Sequence, residues 1–316
     1  MNLFWIILFF LVLILLILLS VLTSRMLFRM GMERKGKFRS NSGNFSEQLA
    51  AHQDLLSRGQ ELYDSLDKIP VEIRSFDGLT LRGNVIFNGE SKKTVILVHG
   101  YRSSGSRDFS GIIPFYRAEG FNILMIDQRA HGASEGAYIT FGVRERRDIL
   151  SWVNFTVNNF ARDHALILDG ISMGATSVLM ACSLGMPAQV RGIVADSGFV
   201  SPYAIFASVL KKQFHLASFP ILNIAEYLAV RRAGFRFREA STLEAMETNT
   251  IPILFLHGDA DDFVPVEMTK AAYEACRAEK ELVIIHGAAH ACGYLLEPVC
   301  CENALRKFFD RVLENE

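Results

Sequence analysis

The sequence predicts an α/β fold in which helices cover both faces of a mainly parallel β-sheet. Six short, almost continuous apolar runs recur along the chain, separated by segments with helical patterning. Strands buried on both faces have this composition, whereas strands with one solvent face alternate apolar and polar residues. The predicted strands are 94–98, 121–126, 165–168, 190–194, 251–256 and 282–285.

A β-hairpin precedes these strands. Residues 71–76 and 79–87 alternate in polarity on either side of Asp77-Gly78, a dipeptide typical of tight hairpin turns. Each of the six later runs ends in polar or small residues. Because parallel strands place their carboxyl ends at one edge of the sheet, we expect reactive groups to gather at that edge.

The chain begins with an apolar segment long enough to span a membrane. Residues 3–22 contain one clearly polar side chain, Ser20, and a helix of about 20 apolar residues crosses the hydrocarbon core of a bilayer. A cleaved signal peptide is the alternative, but the sequence has neither a basic residue before the apolar run nor small residues at a cleavage site after it. We therefore predict an uncleaved transmembrane anchor over residues 1–24.

The charges that follow the anchor predict its orientation. Six basic residues and one acidic residue, Glu33, follow the apolar run, whereas only the α-amino group precedes it. The positive-inside tendency then places the rest of the chain in the cytoplasm. Residues 25–69 are predicted to comprise this basic segment, a polar linker at 39–43 and an amphipathic helix at 45–66, followed by the main domain at 70–316. The basic residues are Arg25, Arg29, Arg34, Lys35, Lys37 and Arg39.

The composition is that of a folded protein with no electrostatic preference for nucleic acid. Of its 316 residues 50% are hydrophobic, and the net charge is −1, so no polyanionic partner is implied. The five cysteines are an odd number without a CxxC pair, which argues against a structural zinc site and favours a reducing compartment. No G-K-[ST] phosphate loop is present in the sequence. The motifs therefore imply neither a cofactor nor a metal.

Residues 198–249 interrupt the alternation of strands and helices. The segment is rich in bulky apolar side chains and falls between two predicted strands. We interpret it as a small helical cap over the carboxyl edge of the sheet, with an ordinary crossover helix and a long loop as the alternative. Its bulky residues include Phe206, Phe214, Phe219, Ile221 and Tyr227.

The pentapeptide GISMG at residues 170–174 carries the clearest chemical signal. It follows a predicted strand and precedes a helical stretch, the setting of a turn that exposes a nucleophilic serine. The two glycines allow strand and helix to approach closely, and the helix N-terminus favours negative charge developing at Ser172.

A serine hydroxyl becomes a nucleophile when a base removes its proton and an acid orients that base. In this strand–turn–helix setting the acid and then the histidine follow the serine along the chain. The candidate acids at strand ends are Asp196, Asp259, Asp261 and Asp262. The candidate bases are His257, His286 and His290.

From residue 71 onward the sequence resembles the α/β-hydrolase family, in the branch of serine aminopeptidase-like and α/β-hydrolase-domain acyl hydrolases. The resemblance implies the α/β-hydrolase fold, with a mainly parallel central sheet flanked by helices, a small helical cap and, here, one preceding transmembrane helix. Five motifs carry it in the family's order: HG (99–100), IDQRAHGAS (126–134), GISMG (170–174), HGDADDFVP (257–265) and GAAH (287–290).

The resemblance also implies roles for single residues. The acid is the fifth residue of H-G-x-x-D-x-x-V-P, which is Asp261, and the base closes G-x-x-H, which is His290. Asp196 is the alternative acid, because an acid after the preceding strand reaches the same histidine in some relatives. The oxyanion donors are the main-chain N–H groups of Tyr101 and Met173, with the Tyr101 hydroxyl as a further donor in some relatives.

One position departs from the family pattern. The turn D-x-R-G-H-G-x-S has Ala130 in place of its first glycine. That position takes no known part in the chemistry, so we expect only a local adjustment of the backbone.

Two classes of function follow from these residues. The first is a membrane-anchored serine hydrolase that cleaves a carboxylic ester with a lipophilic acyl group, because the anchor and the apolar cap both suit such a substrate. A thioesterase or a peptidase or amidase of the same fold is the alternative; a peptidase would grip the peptide amine with a carboxylate such as Glu226, Glu239 or Glu244. The second class is a non-catalytic binding protein, against which the complete set of serine, acid, histidine and glycines argues.

Overall fold

The computed structural model describes residues 3–36 and 43–313. The first half of the chain forms α1 (Leu3–Met32), α2 (Gly43–Ala51), α3 (Gln53–Ser65), β1 (Ile69–Arg74), β2 (Thr80–Ile86), β3 (Lys93–Val98), α4 (Gly105–Phe109), α5 (Ile113–Ala118), β4 (Asn122–Ile126) and α6 (Glu145–Asn159). The second half forms β5 (Ala165–Ile171), α7 (Met173–Ala181), a short 3-10 helix (Cys182–Leu184), β6 (Val190–Asp196), α8 (Pro202–Gln213), α9 (Ile221–Ala233), α10 (Thr242–Thr248), β7 (Ile253–Gly258), α11 (Val266–Ala275), β8 (Lys280–Ile285), α12 (Gly293–Leu296) and α13 (Pro298–Leu313).

In the described part of the chain, eight strands form one sheet in the order β1-β2-β4-β3-β5-β6-β7-β8. β1 and β2 pair antiparallel as the predicted hairpin, and β2 also runs antiparallel to β4. All pairs from β4 to β8 are parallel. The predicted α/β fold with a mainly parallel sheet is therefore confirmed.

Side chains of the central strands alternate between two apolar cores. On β3, Ile96 and Val98 enter the core beneath α6 and α7, whereas Val95 and Leu97 enter the core beneath α5 and α13. All four are fully buried. Because both faces of the sheet are covered, these strands have apolar residues at every position rather than at alternate ones.

The helix α1 is long and apolar enough to cross a membrane. Its most apolar 18-residue window has a mean hydropathy of 3.4, and most of its side chains between Leu3 and Leu22 are exposed. The helix does not end with the apolar run but continues to Met32, because Ser24, Phe28 and Met32, spaced four residues apart, bury one face against the main domain.

The segment after α1 differs from the single amphipathic helix predicted at 45–66. It forms α2 and α3, separated at His52, whose φ of −115° and ψ of 25° are not helical. The break lets Phe45 and Leu49 of α2 pack on Leu295, while Leu62 of α3 joins the core beneath α5. The linker predicted at 39–43 lies outside the described residues except for Gly43, where α2 begins.

The segment 198–249 contains helices with two different positions. α8 and α9 contribute Ile205, Ala225 and Ala229 to a third apolar cluster, which also contains Phe28 and Met32 of α1. α10 instead contributes Ala245 and Met246 to the core beneath α6 and α7. The cap predicted over this whole segment is therefore confined to its first two helices, and α10 is an ordinary layer helix that leads into β7.

Candidate active site

Ser172 lies at the sharp turn from β5 to α7. Its φ of 56° and ψ of −113° fall in a region that is strained for a residue with a side chain. A Cβ atom on Gly170 would lie 2.5 Å from the carbonyl carbon of Gly174, and one on Gly174 would lie 1.9 Å from the carbonyl oxygen of Val98. Both glycines are therefore required sterically for the strand, turn and helix to pack as they do.

His290 connects Ser172 to Asp261. The distance from His290 Nε2 to Ser172 Oγ is 2.9 Å, and the distance from His290 Nδ1 to Asp261 Oδ2 is 2.7 Å. With the proton on Nδ1, His290 donates to the carboxylate and accepts from the serine hydroxyl. This arrangement can remove the hydroxyl proton during an attack by Ser172.

Asp261 is held as a carboxylate inside the protein. Its Oδ1 accepts hydrogen bonds from the main-chain N–H groups of Phe263 (2.9 Å) and Val264 (2.8 Å), and its Oδ2 also lies 3.1 Å from His257 Nε2. Burial raises the pKa of Asp261, but the charge of His290 and the hydrogen bonds from both histidines outweigh burial and hold this pKa well below its usual value. Asp261 therefore presents a negative charge to His290.

The pairing with Asp261 raises the pKa of His290. Burial lowers the pKa of His290, but the negative charge of Asp261 and the hydrogen bond to it raise that pKa above its ordinary value of about 6.5. A histidine with a raised pKa is a stronger base. His290 is thus suited to accept a proton from a nearby hydroxyl.

The side chains of the other candidate acids and of His286 make no hydrogen bond to Ser172 or His290 in the described part of the chain, although the Asp196 carbonyl oxygen accepts from the Ser172 N–H at 2.7 Å. Asp196 is buried and its Oδ1 accepts from the Ser197 hydroxyl at 2.8 Å, while burial raises its pKa. Asp259 pairs with the exposed His286 at 2.7 Å, and Asp262 is exposed. Within the residues that the structure describes, no group of three or more His, Cys, Asp or Glu side chains could hold a metal ion.

The loop after β3 lies beside the serine. A Cβ atom on Gly100 would lie 3.4 Å from the Ser172 Cβ. Across the described ranges 3–36 and 43–313, the main-chain N–H groups of Tyr101 and Met173 have no hydrogen-bond acceptor. The Tyr101 hydroxyl, in contrast, donates to the carbonyl oxygen of Gly31 in α1 at 2.8 Å.

Two hydrogen bonds fix the conformation of this loop. The Gly100 N–H donates to Asp108 Oδ2 at 2.7 Å, and the Arg102 N–H donates to His131 Nε2 at 2.9 Å. His131 follows Ala130, whose φ of 61° shows that the alanine keeps a left-handed conformation that glycine adopts at lower energy. The motif around 126–134 therefore supports the loop beside Ser172 rather than contacting the serine itself.

An apolar cavity opens beside Ser172. Aromatic rings form much of its wall: Phe206 lies edge to face with Phe141 and with Phe237, at centroid distances of 4.6 Å and 4.9 Å. The cavity is lined by Leu27, Phe28, Gly31, Met32, Tyr101, Phe141, Ser172, Phe199, Ile205, Phe206, Val209, Leu210, Leu222, Ala225, Phe237 and Phe263.

Comparison with known proteins identifies the family. A family model described as "Serine aminopeptidase, S33" matches residues 89–228, and one described as "Serine hydrolase (FSH1)" matches residues 168–292. The structure superposes on the esterase Pf2001 of Pyrococcus furiosus with a TM-score of 0.64 and 28% identity, covering 82% of this chain and 95% of that one. This chain is an α/β hydrolase.

Curated relatives of this hydrolase include an uncharacterized bacterial protein and a plant esterase. It is 27% identical over 252 residues to the uncharacterized protein YqkD of Bacillus subtilis (strain 168), covering 80% of this chain and 82% of that protein. It is also 24% identical over 244 residues to caffeoylshikimate esterase of Arabidopsis thaliana, covering 65% and 72%. The hydrolase is thus an enzyme of the serine hydrolase type.

Sequence reasoning missed one part of the hydrolase's cavity. Four of the lining residues belong to the end of α1, which was predicted to act only as an anchor and a basic segment. A signal was present, because Phe28 and Met32 continue the helical spacing of apolar residues among the arginines.

Proposed function

We propose that this hydrolase is a membrane-anchored enzyme that cleaves carboxylic esters with lipophilic acyl groups through an acyl-enzyme formed on Ser172. One observation carries the proposal: the hydrogen-bonded series Asp261–His290–Ser172 ends at an apolar cavity. In this proposal the three residues form a catalytic triad.

The reaction proceeds in two stages. His290 takes the proton of Ser172 as Oγ attacks the ester carbonyl carbon, and the N–H groups of Tyr101 and Met173 stabilise the negative oxygen of the tetrahedral intermediate. His290 then gives its proton to the departing alcohol oxygen, which leaves an acyl ester on Ser172. Water activated by His290 attacks this acyl-enzyme, releases the acid and restores the serine.

The cavity favours an ester with an apolar acyl part over a peptide. The carboxylates considered for gripping a peptide amine are used elsewhere or exposed: Glu226 accepts from the Phe237 N–H at 2.8 Å, Glu239 accepts from the Arg236 N–H at 3.0 Å, and Glu244 is exposed. None of the three lines the cavity in the described part of the chain. Two relatives whose names give an activity, Pf2001 and caffeoylshikimate esterase, are esterases.

The first helix supports the membrane location in this proposal. Its apolar length suffices to cross the bilayer, and the basic residues that follow support a catalytic domain on the cytoplasmic side through the positive-inside tendency.

A substrate panel tests the proposed chemistry. The full-length enzyme in detergent is assayed with matched acyl esters, acyl thioesters and aminoacyl amides, beside its Ser172→Ala variant. We expect esters with apolar acyl groups to give the highest kcat/KM, and the variant to lose at least about a thousandfold. If aminoacyl amides were turned over faster than the acyl esters, the proposal of an esterase would be wrong and the enzyme would be a peptidase or amidase.

A further inference from the structure

The last two turns of α1 form one wall of the active-site cavity. Leu27, Phe28, Gly31 and Met32 line the same cavity as Ser172. Phe28 and Met32 are only 1% and 3% exposed, so one face of the helix end is enclosed by the rest of the protein. The same helix exposes its apolar side chains up to Leu22.

Hydrogen bonds attach this wall to the cap and to the main domain. The Ser24 hydroxyl lies between two carbonyl oxygens, that of Ser20 at 2.6 Å and that of Ile221, the first residue of α9, at 3.0 Å, and its single proton is shared between them. On the other side, the Ile139 N–H donates to the carbonyl oxygen of Met32 at 2.8 Å. The end of α1 therefore has a fixed position in the cavity instead of depending on lipid contacts alone.

The loop beside Ser172 is attached to the same helix end. The Arg102 guanidinium donates to the carbonyl oxygens of Met30 (3.0 Å) and Glu33 (2.7 Å), and the Tyr101 hydroxyl donates to that of Gly31. The last carbonyls of a helix lack partners inside the helix and carry partial negative charge. A cation at this point therefore joins α1 to the loop that carries the proposed oxyanion donor.

Gly31 leaves room for a ligand in the wall. Among the residues that the structure describes, no heavy atom outside its own helical neighbourhood lies within 4 Å of a Cβ built on Gly31. Larger side chains on either side, Leu27 and Met32, border the same space. Gly31 itself lines the cavity, although glycine weakens a helix interior relative to alanine.

The position of the cavity relative to the span indicates where an acyl chain comes from. The continuous run of exposed apolar side chains on α1 ends at Leu22, two residues before the contact between Ser24 and α9. Phe219, just before α9, is 77% exposed, so a large apolar side chain is open to the surroundings close to the contact between α9 and Ser24. Leu27, three residues after Ser24, and Leu222, next to Ile221, both line the cavity.

We propose that the end of α1 is the acyl-chain site and that the substrates are long-chain acyl esters resident in the membrane, which enter the cavity from the bilayer. This inference rests on the ester hydrolysis proposed above. In it, Gly31 determines the specificity for chain length, because its missing side chain leaves space for methylene groups of the substrate.

The test is the full-length Gly31→Leu variant, reconstituted in phospholipid vesicles. Acetyl, butanoyl, dodecanoyl and hexadecanoyl esters of one alcohol are compared. Each methylene displaced from an apolar site costs about fourfold in affinity, so a leucine side chain in the gap lowers kcat/KM for the two long esters by on the order of 50-fold. The short esters change less than about twofold, because they do not reach α1.

Two control variants accompany it. Gly31→Ala adds one methyl group, favours the helix, and gives a smaller shift in the same direction. Met26→Phe adds bulk to the exposed side of the same helix, away from the cavity, and leaves the chain-length profile unchanged. The melting temperature of each variant is measured beside the rates, so that an unfolded protein is recognised.

Two kinds of result would contradict this inference. Equal changes for short and long esters, or an unchanged profile in folded Gly31→Leu, overturn the acyl-site assignment and leave ester hydrolysis intact. A wild-type enzyme that hydrolyses no ester of any length overturns the proposed function, and this inference falls with it.

Discussion

Asp261 and Asp196 are both 8% exposed at neighbouring strand ends, yet only one of them contacts His290. Asp261 follows β7 in a loop whose N–H groups at Phe263 and Val264 turn its carboxylate toward His290 Nδ1. Asp196 ends β6 and uses its carboxylate on Ser197. Local backbone geometry, rather than burial, therefore determines which carboxylate pairs with His290.

The first prediction compares these two acids. Asp261→Asn should lower kcat by about 10⁴-fold, because an amide does not hold His290 in the required tautomer or stabilise its charge. Asp196→Asn keeps a polar acceptor of the same shape and should lower kcat by less than about tenfold. Ester turnover of both variants checks this, and the reverse order of effects would assign the acid to Asp196.

The second prediction concerns the pH profile. His290 accepts a proton only in its neutral form, and its raised pKa keeps it protonated over a wider range. Activity should therefore fall as the pH drops through a midpoint above about 6.5. In Asp261→Asn the raising charge is lost while burial remains, so the midpoint of the residual activity should move to lower pH.

The profile of kcat/KM against pH for both proteins measures this shift. His286→Ala is the control, because His286 is exposed and pairs with Asp259 away from Ser172. An unchanged midpoint in Asp261→Asn would contradict the pairing of Asp261 with His290.

Motif spacing sufficed to select Ser172, Asp261 and His290 as candidates, whereas the residues that support the loop beside them carry no such pattern. Asp108 accepts from the Gly100 N–H across eight residues of chain, and Arg102 reaches carbonyls of α1 about 70 positions away. Such contacts depend on tertiary packing. A single sequence therefore gives no signal for them.

At the scale of elements, the β5–α7 turn depends on the close approach of three backbones. Gly174 faces the carbonyl groups of both Val98 and His99, and any Cβ there would overlap them. Because these atoms belong to the central strand β3 and its end, they have no room to move. The turn and the first core strand therefore constrain each other.

The third prediction is that Gly174→Ala destabilises the protein by about 2 kcal/mol or more, because the added methyl group forces backbone atoms apart. The free energy of unfolding and the rate of reaction of Ser172 should both fall. Gly31→Ala is the matched control, since the same substitution meets open space there. Equal stability of the two variants would contradict the steric account.

Strands were easier to predict than helices in this chain. The apolar runs that become β3 to β7 are largely buried on both faces and therefore distinct from their surroundings, whereas the edge strand β8 is only partly buried. The break at His52 and the separate packing of α10 have no local marker of comparable strength, because each follows from which neighbour the helix meets. Element types were thus predictable, while their packing partners were not.

At the scale of the molecule, α1 has an exposed apolar part and a part that is packed into the catalytic domain. Its first two-thirds present exposed apolar side chains, and its last third packs into the catalytic domain. The sequence indicated a span by length and composition, but hydropathy does not reveal that a helix continues into a neighbouring domain. We interpret α1 as an anchor whose end is also part of the enzyme.

The fourth prediction concerns membrane orientation. Of the five cysteines, four are buried and Cys300 is exposed, so Cys300 is a natural label for the side of the membrane that holds the catalytic domain. A membrane-impermeant maleimide should modify it only after sealed cells are permeabilised. The Cys300→Ser variant shows whether the label is attached at Cys300. Labelling of Cys300 in intact cells would contradict the proposed orientation.

The most direct measurement is the reaction of the full-length protein with a compact fluorophosphonate, beside its Ser172→Ala variant, followed by mass spectrometry of the modified peptide. Full-length protein is required, because a fragment that begins after α1 lacks part of the cavity wall. We predict a single adduct on Ser172 and none in the variant, since His290 and Asp261 activate that hydroxyl. A folded wild-type protein that forms no adduct, or forms it at another serine, would contradict the account.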